Sequence, residues 1–387
     1  MPLRTPLRAL GAFYFCYFAY NGLFGPFWGL YLDSLSFSPW QISVLITLST
    51  LARIVAPGLW GWLADRQGRR RPIIVSTSLL ALLSFAALCL HGKTFVWLFV
   101  CLALLHLFWT ASLPLVEAST AHLTRAQPGR YSRVRVWGSI GYMFVAIGGG
   151  YVMQWLGIAS MPWLVLGLLG LIFAASCGVP EVTIEHTQRS RVRFGDTLRR
   201  GPVLALFTCC FLMAFAFGPY YTFYSIGLKQ AGYSSSVIGW LWAVGVLSEI
   251  SVFWFMPRIM RRFSLERLML ASLIGGVLRF GLIAFDIGNP LLAVLSQSLH
   301  ALCFAVHHAA SVGLIHRFFE PQHQARAQGM YIIASFGIGG SAGGLLAGAL
   351  WAQGGVALTF GLSACAALVG IAVCLRALRP ARPPAAA

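Results

Sequence analysis

Apolar runs of about 20 residues follow one another along almost the whole chain, separated by short polar segments. Each run is long enough to cross the hydrocarbon core of a bilayer as an α-helix, where the helix satisfies its own backbone hydrogen bonds. Of the 387 residues, 58% are hydrophobic and only 10% are charged, whereas about a quarter are charged in soluble domains. The sequence therefore predicts an all-α membrane protein and excludes the soluble globular classes.

Twelve such runs are present, six on each side of a polar connector. The first six predicted spans are residues 10–32, 41–64, 73–90, 95–118, 136–156 and 161–178. The second six are residues 203–228, 237–256, 268–285, 291–314, 330–352 and 356–375. We predict twelve transmembrane helices in two six-helix bundles, residues 1–179 and 203–387, joined by a cytoplasmic connector, residues 180–202. Its arginines indicate a solvated tether near anionic lipid.

Positive charge is distributed unevenly between the loops. Of 28 Lys and Arg residues, all but four fall in the tails and in the loops of one side. Lys93 and Lys229 fall on the other side, and Arg53 and Arg279 lie inside predicted helices. Loops rich in Lys and Arg stay in the cytoplasm. We therefore predict a multi-pass protein of the plasma (inner) membrane with both termini cytoplasmic, and no nucleic-acid partner despite the net charge of +18.

The cysteine and histidine spacing favours neither a metal site nor an enzyme. The nine cysteines lie mostly inside apolar runs, without metal-ligand spacing or a secreted disulfide pattern. His307 and His308 have no acidic neighbours in the sequence that would make a catalytic set. We predict no metal, no cofactor and no enzymatic activity.

A charged loop lies between the second and third predicted spans. It runs from Gly61 through Asp65, Arg66, Gly68 and Arg69 to two further arginines. Glycines let two backbones approach and reverse, and the carboxylate lies beside helix ends. The loop resembles the G-x-x-x-D-R-x-G-R-R motif of major facilitator superfamily transporters. This resemblance implies two six-helix bundles that give alternating access, and it implies a conformational gating role for these five residues.

A short motif recurs in the two halves. Phe24-Gly25-Pro26 returns as Phe217-Gly218-Pro219, and Tyr31 returns at the same offset as Tyr224. A proline inside a membrane helix frees a backbone carbonyl and bends the helix, which is tolerated where the bend lines a cavity. The recurrence therefore predicts a binding site between the halves, near the membrane midplane.

Two stripes mark further helix faces. Gly340, Gly344 and Gly348 lie four residues apart in the eleventh predicted span. We expect a close helix contact there, either a static seam or a surface on which a neighbour slides. In the first span, Asn21 shares a face with aromatic residues, which either pack or line an aromatic-selective cavity: Tyr14, Tyr17, Phe24 and Trp28.

Ionisable side chains are rare inside the predicted spans. Each costs at least about 2.5 kcal/mol unless it is paired or reaches a wet cavity, so each is a functional candidate. The first half holds Arg53, His106, Glu117 and Arg135, and the second holds Glu249, Arg279, His300, His307 and His308. We expect His307 and His308 to be structural. Arg53 or Arg135 is available to a substrate carboxylate, which the guanidinium fork suits.

The opening of the fifth span carries a closer resemblance. Arg135 is part of the sequence Arg133-Val-Arg135-Val-Trp137-Gly138, and Glu117 lies 18 positions before it. This pattern resembles the lactose permease-like proton symporters and, more closely, the phenylpropionic acid permease family. The resemblance implies substrate binding by Glu117 and Arg135, and substrate binding and proton coupling by the set Glu249, Arg279 and His300. With the polar residues of the first half, we predict a substrate site of Asn21, Arg53, Glu117, Arg135, Trp137 and His300, and proton coupling by Glu249, Arg279 and His300. Cys303 stands where the sugar symporters carry a further glutamate.

These observations predict a proton-coupled carrier that works as a monomer. A membrane carboxylate near an arginine and a histidine is either paired and ionised or protonated and neutral, which links a proton to the solute. An aromatic cavity with a cation favours an aryl carboxylate resembling 3-phenylpropionate. The alternatives are a sugar or nucleoside symporter and a metabolite or drug efflux antiporter. Efflux is disfavoured because the fifth span has Gly148-Gly149-Gly150 but no proline.

Overall fold

The computed structural model describes residues 4–91, 93–125, 128–182 and 195–378, and no strand occurs within these ranges. The first half contains α1 (Arg4–Ser34), α2 (Pro39–Gln67), α3 (Arg71–Leu90), α4 (Phe95–Thr124), α5 (Pro128–Leu156) and α6 (Met161–Cys177). The second contains α7 (Gly195–Leu198), α8 (Gly201–Gln230), α9 (Ser235–Arg262), α10 (Leu265–Asp286), α11 (Pro290–Ser298), α12 (His307–Phe318), α13 (Pro321–Ile332) and α14 (Gly340–Ala377). A 3₁₀ turn covers Ile158–Ser160, and π-helical turns cover Leu302–Val306 and Ile333–Gly339.

The prediction of twelve membrane helices agrees with these elements. Within the described residues, ten helical runs are long and apolar enough to cross a membrane. One of them, Arg326–Ala377, contains the last two predicted spans, and Gly355 breaks it between them with φ 50° and ψ −136°. α1, which is not among the ten, covers the first predicted span. The all-α membrane fold is confirmed.

Several helices extend beyond the predicted apolar runs. α2 begins at Pro39 because Ser38 forms a capping box with Gln41: the Gln41 backbone N–H donates to the Ser38 hydroxyl (3.3 Å), and the Ser38 N–H donates to the Gln41 side chain (3.0 Å). α2 then continues through Asp65 and Arg66 to Gln67. Hydropathy marks the part of a helix in lipid, whereas capping sets where the helix ends.

The turn after α2 is shorter than the predicted loop. Gly68 ends α2 in the left-handed region, with φ 65° and ψ 9°. Gly61 lies inside the helix, and a Cβ placed on it meets no atom of the described residues within 4 Å, so its predicted close approach is wrong. Asp65 and Arg69 are exposed. Arg66 lies over the Trp62 ring at 5.6 Å.

A distant carboxylate caps the next helix. Glu181 accepts hydrogen bonds from the backbone N–H groups of Arg70 (2.9 Å) and Arg71 (3.4 Å) at the start of α3. The Arg71 side chain donates to the Cys177 carbonyl at 2.7 Å. Together these contacts fix the beginning of the predicted connector. Its residues Glu185, Arg189, Arg191 and Arg193 lie outside the described part of the chain.

The described helices form two compact units. The first comprises Met1–Gln188 with Leu228–Ala243, and the second comprises Arg189–Gly227 with Val244–Ala387. In the first unit α1 packs closely on α5: a Cβ on Gly22 would lie 2.2 Å from the Tyr142 carbonyl oxygen. The start of α9 packs on the end of α5, where a Cβ on Gly239 would lie 2.2 Å from the Ala146 carbonyl oxygen. The bundle limits predicted at residues 179 and 203 stay a prediction.

Glycines form the corresponding seam in the second unit. A Cβ on Gly343 would lie 2.0 Å from the Phe215 carbonyl oxygen of α8, and one on Gly218 would lie 2.3 Å from the Gly344 nitrogen. Gly339 approaches the Phe211 carbonyl in the same way, at 2.6 Å. The predicted close helix contact is therefore present. Gly339 and Gly343, which contact α8, each lie one position before a glycine of the predicted stripe, Gly340 and Gly344.

Candidate functional site

The first candidate cluster joins α4 and α5. Nε of Arg135 lies 3.6 Å from Oε1 of Glu117, and the two side chains are 32% and 38% exposed. A distance of 3.6 Å is longer than a strong charge-assisted hydrogen bond, and one-third exposure leaves both groups reachable. The pair can therefore accept another polar partner without first breaking a tight contact.

Aromatic faces surround the guanidinium. Arg135 lies over the ring of Phe18 at 4.1 Å and over the ring of Tyr14 at 5.5 Å, both on α1. The Tyr14 hydroxyl donates to Thr120 Oγ1 on α4 at 3.2 Å, which holds that ring in place. A cation between aromatic rings and one carboxylate suits an anion attached to an apolar or aromatic group.

The aromatic stripe of α1 is mostly packed against α4. Tyr17 stacks on Trp109 with ring centroids 4.3 Å apart, and Tyr20 lies 4.8 Å from the same ring. Phe24 contacts His106 edge-on at 5.4 Å. Of the two predicted alternatives, helix packing describes this part of the stripe.

Among the described residues, no hydrogen bond or ion pair joins three further predicted site residues to the Glu117–Arg135 pair. Asn21 donates its amide to the Tyr17 carbonyl of its own helix at 3.2 Å. Arg53 is exposed on α2 and has no ion-pair partner among the described residues. Trp137 is 50% exposed and packs beside Gly11; two residues along a helix place it about 200° around α5 from Arg135. Their substrate-binding roles stay a prediction.

The second candidate cluster lies in the second unit. Oε1 of Glu249 on α9 lies 2.5 Å from Nε2 of His300, between α11 and the π-helical turn, and the side chains are 17% and 7% exposed. His300 also stacks on Phe304 at 5.5 Å with 6° between the rings. Nδ1 of His300 has no partner among the described residues. This carboxylate–imidazole pair can hold or release a proton in a nearly water-free setting.

Arg279 is buried more completely than Glu249 and His300. It is fully buried, and its only hydrogen bond to a described residue runs from Nε to the Ser296 carbonyl at 3.0 Å. The guanidinium lies 4.1 Å from the Tyr220 ring and 5.0 Å from the Phe217 ring. The same two rings contact His300, so Arg279 and the Glu249–His300 pair share an aromatic environment.

A buried amide completes the second cluster. The Tyr220 hydroxyl donates to Oε1 of Gln297 at 3.1 Å, and Gln297 is fully buried. Nε2 of Gln297 has no partner among the described residues. Phe18, Tyr220 and Phe304 were absent from the predicted site, and only their helical spacing from Tyr14, Phe217 and His300 would have indicated them.

His307 and His308 each have a hydroxyl partner. Nδ1 of His307 lies 2.9 Å from Ser272 Oγ, and Nδ1 of His308 lies 3.1 Å from the Tyr331 hydroxyl. The structural role predicted for both residues is compatible with these contacts. Across the described ranges, no group of three or more His, Cys, Asp or Glu side chains is arranged to hold a metal ion.

The chain is similar to known carriers over most of its length. Residues 7–362 match the model of the MFS_1 like family. The probable 3-phenylpropionic acid transporter of Escherichia coli (strain K12) is 30% identical over 327 residues, which cover 80% of this chain and 82% of that protein. The putative nucleoside transporter YegT of the same strain is 24% identical, over 86% of this chain and 81% of that protein.

A similarity to solved structures concerns the fold alone. The crystal structure of the nucleoside transporter NupG superimposes with a TM-score of 0.81, covering 98% of this chain and all of that chain. The sequences are 16% identical.

Proposed function

Since the chain is a transporter of the MFS_1 like family, we propose that it couples the uptake of a small aryl carboxylate to the entry of a proton. The observation that carries this proposal is the contact between Glu249 and His300 beside the buried charge of Arg279. An ionisable side chain buried in a membrane helix carries a free-energy cost. Such side chains therefore mark substrate or proton pathways in transporters.

The Glu249–His300 pair offers two protonation states with different contacts. When Glu249 is ionised, it accepts a hydrogen bond from Nε2–H of His300. When Glu249 carries a proton it is neutral, and the attraction between the side chains falls. If one state favours each step of alternating access, the proton and the solute move together.

The Glu117–Arg135 pair supports an anionic aromatic solute. A carboxylate can take a bidentate place on the Arg135 guanidinium, which is one-third exposed. Phe18, which already faces Arg135 and is partly exposed, supplies apolar surface for an aryl group. The similarity to a probable 3-phenylpropionic acid transporter supports the same class.

Transport by purified protein in liposomes tests the coupling. We expect an imposed pH gradient to drive accumulation by the wild type and to drive none by Glu249→Gln, which cannot exchange the proton. Exchange of labelled for unlabelled solute at equal concentrations moves no net proton, and it should survive in this variant. Asp286→Asn, a neutralised exposed carboxylate at the end of α10, is the matched control and should accumulate solute normally. Unchanged accumulation by Glu249→Gln would refute the proposal.

A panel of solutes tests the substrate class. We expect uptake of 3-phenylpropionate and cinnamate, and no uptake of the neutral amide of 3-phenylpropionate, because the amide has no charge for Arg135. Maltose and uridine belong in the same panel. Uptake of uridine in preference to the acids would overturn the aryl carboxylate assignment while leaving the carrier assignment intact.

A nucleoside or sugar is the second candidate solute. The amide nitrogen of Gln297 is buried beside Tyr220 and has no partner in the part of the chain that the structure describes. It is a donor of the kind that recognises hydroxyl or carbonyl groups. The similarity to a putative nucleoside transporter supports this alternative.

The charge distribution supports a location and an orientation. We propose that the protein lies in the plasma (inner) membrane with both termini in the cytoplasm, because nearly all Lys and Arg outside the spans fall on one side. We propose also that the monomer is the working form.

A further inference from the structure

The last turns of α9 carry three arginines next to exposed aromatic side chains. Trp254 is 76% exposed and Phe255 is 52% exposed, and Arg258, Arg261 and Arg262 are exposed as well. Because successive residues of an α-helix lie about 100° apart, these five side chains fall within about a third of its circumference. They form one continuous surface, which we call the aromatic–arginine face.

No carboxylate in the described part of the chain neutralises this face. Its three arginine side chains form no ion pair and no hydrogen bond with a described residue. The carboxylate that follows them in the sequence, Glu266, is buried and already pairs with Arg317. Three positive charges are therefore open to a partner outside the protein.

The start of α10 adds a fourth cation at the same end of the helix pair. Only two residues separate α9 from α10, and the Arg267 backbone N–H donates to the Ser264 hydroxyl at 3.4 Å, which caps α10. Arg267 is exposed, and so is Phe263 in the connection. Four exposed arginines thus lie within ten residues, together with a further exposed aromatic side chain.

The turn after α2 shows that arginine-rich helix ends in this chain differ. There Asp65 directly precedes Arg66, and Glu181 accepts hydrogen bonds from the backbone at the start of α3. Sorting of positive charge to one side of the membrane explains arginines at both ends. It does not explain why the α9 end combines them with exposed aromatic rings and lacks an available carboxylate among the described residues.

The order of residues along this face matches the boundary of a bilayer. α9 is long and apolar enough to cross the membrane, so its arginine-bearing end lies where hydrocarbon gives way to headgroups. Aromatic rings favour that boundary, and arginine side chains extend from it toward the headgroups. Arginine clusters at the end of a membrane helix attract anionic lipids, and the guanidinium fork fits two phosphate oxygens at once.

We propose that the aromatic–arginine face binds an anionic phospholipid. The headgroup phosphate contacts the three arginines, and the acyl chains lie along Trp254 and Phe255. Glu249 lies five residues before Trp254, which is about 140° around the helix, so the lipid site is separate from the Glu249–His300 pair. The inference is therefore independent of the proposed solute and of proton coupling.

Lipid binding to the purified protein in detergent, measured by native mass spectrometry, tests the proposal. Phosphatidylglycerol and phosphatidylcholine with identical acyl chains are the probes, and we expect the wild type to bind phosphatidylglycerol about tenfold or more tightly. Replacing Arg258, Arg261 and Arg262 together by glutamine should weaken phosphatidylglycerol binding by about tenfold or more, because each arginine near a membrane surface contributes about fivefold. Binding of phosphatidylcholine should stay unchanged.

Two further variants separate this face from misfolding and from net charge. Replacing the same three arginines by lysine keeps the charge and should keep phosphatidylglycerol binding within about threefold of the wild type. The matched control removes three exposed arginines elsewhere and should bind within about twofold of the wild type: Arg66→Gln, Arg69→Gln and Arg376→Gln.

Four results would overturn the lipid site. Unchanged phosphatidylglycerol binding in the glutamine variant would show that the face is not used. Equal loss in the lysine variant would show that charge is not what is recognised, and equal loss in the matched control would show that net charge alone attracts the lipid. Displacement of the lipid by an equal concentration of inorganic phosphate would assign the arginines to a free anion.

Discussion

Arg279 shows how costly a single buried charge is in this molecule. The side chain is fully buried, and Nη1 and Nη2 have no partner among the described residues. The aromatic faces of Tyr220 and Phe217 stabilise the cation, at about 2 kcal/mol when desolvated, which is smaller than the several kcal/mol lost on burying it. The buried cation therefore lowers stability, which is the cost expected of the transport role proposed for Arg279.

A substitution at this residue should separate the two properties. We expect Arg279→Met to leave the free energy of unfolding unchanged or to raise it by about 1–4 kcal/mol, because an apolar side chain of similar size removes the desolvation penalty. pH-driven accumulation should be lost. Denaturant unfolding of the purified protein, followed by tryptophan fluorescence, measures the first effect.

The control is Arg376→Met, the same change at an exposed position of α14. It should alter stability by no more than about 0.5 kcal/mol. A loss of more than about 3 kcal/mol in Arg279→Met would show that the guanidinium is a structural tie rather than an uncompensated charge.

Sequence reasoning identified the ionisable residues better than their partners. Glu249, Arg279 and His300 were selected because charge in an apolar run is conspicuous. Their contacts could not be derived, because which carboxylate meets which cation depends on helix rotation and packing. The hydrogen bonds from the start of α3 to Glu181 join residues more than a hundred positions apart in the sequence. No local sequence pattern predicts them, for the same reason.

At the scale of elements, contact between α8 and α14 depends on residues without a side chain. A Cβ on Gly343 would lie 2.0 Å from the Phe215 carbonyl oxygen, and backbone cannot move aside as a flexible side chain can. On the same helix, a Cβ on Gly361 meets no atom of the described residues within 4 Å. The two glycines therefore form a matched pair for testing the seam.

We expect Gly343→Ala to lower the free energy of unfolding by about 1–3 kcal/mol, since the added methyl group forces the two helices apart. Gly361→Ala should leave it unchanged or raise it slightly, because alanine is the better helix former. Denaturant unfolding of both purified variants measures the difference. Equal stability of the two variants would mean that the helices separate without cost.

The number of helices was predictable, whereas their irregularities were not. Apolar runs of sufficient length gave the membrane segments, since hydrocarbon thickness sets that length. The π-helical turns at Leu302–Val306 and Ile333–Gly339 contain no proline and no distinctive composition. Their i→i+5 hydrogen bonds are a rare departure from the α-helix, and the apolar pattern of these segments does not reveal it. The glycine seam was predicted from Gly340, Gly344 and Gly348, whereas Gly339 and Gly343 form part of the contact.

At the scale of the whole molecule, charge should fix the orientation. Arg69 lies in the turn after α2, and Lys93 lies just before α4, so the two positions are on opposite sides of the membrane in the predicted topology. In a variant whose exposed Cys177 and Cys365 are replaced by serine, we expect a membrane-impermeant maleimide to label Lys93→Cys in intact cells. Arg69→Cys should be labelled only after the membrane is permeabilised. Labelling in the reverse order would invert the topology.

The break at Gly355 has a consequence for biosynthesis. The segment from Trp351 to Val356 joins the last two spans and contains no charged side chain. Nothing there would retain one segment on its own side of the bilayer while the ribosome makes the other. We therefore expect the two segments to leave the translocation machinery together as a helical hairpin, oriented by Arg326 before it and Arg376 after it.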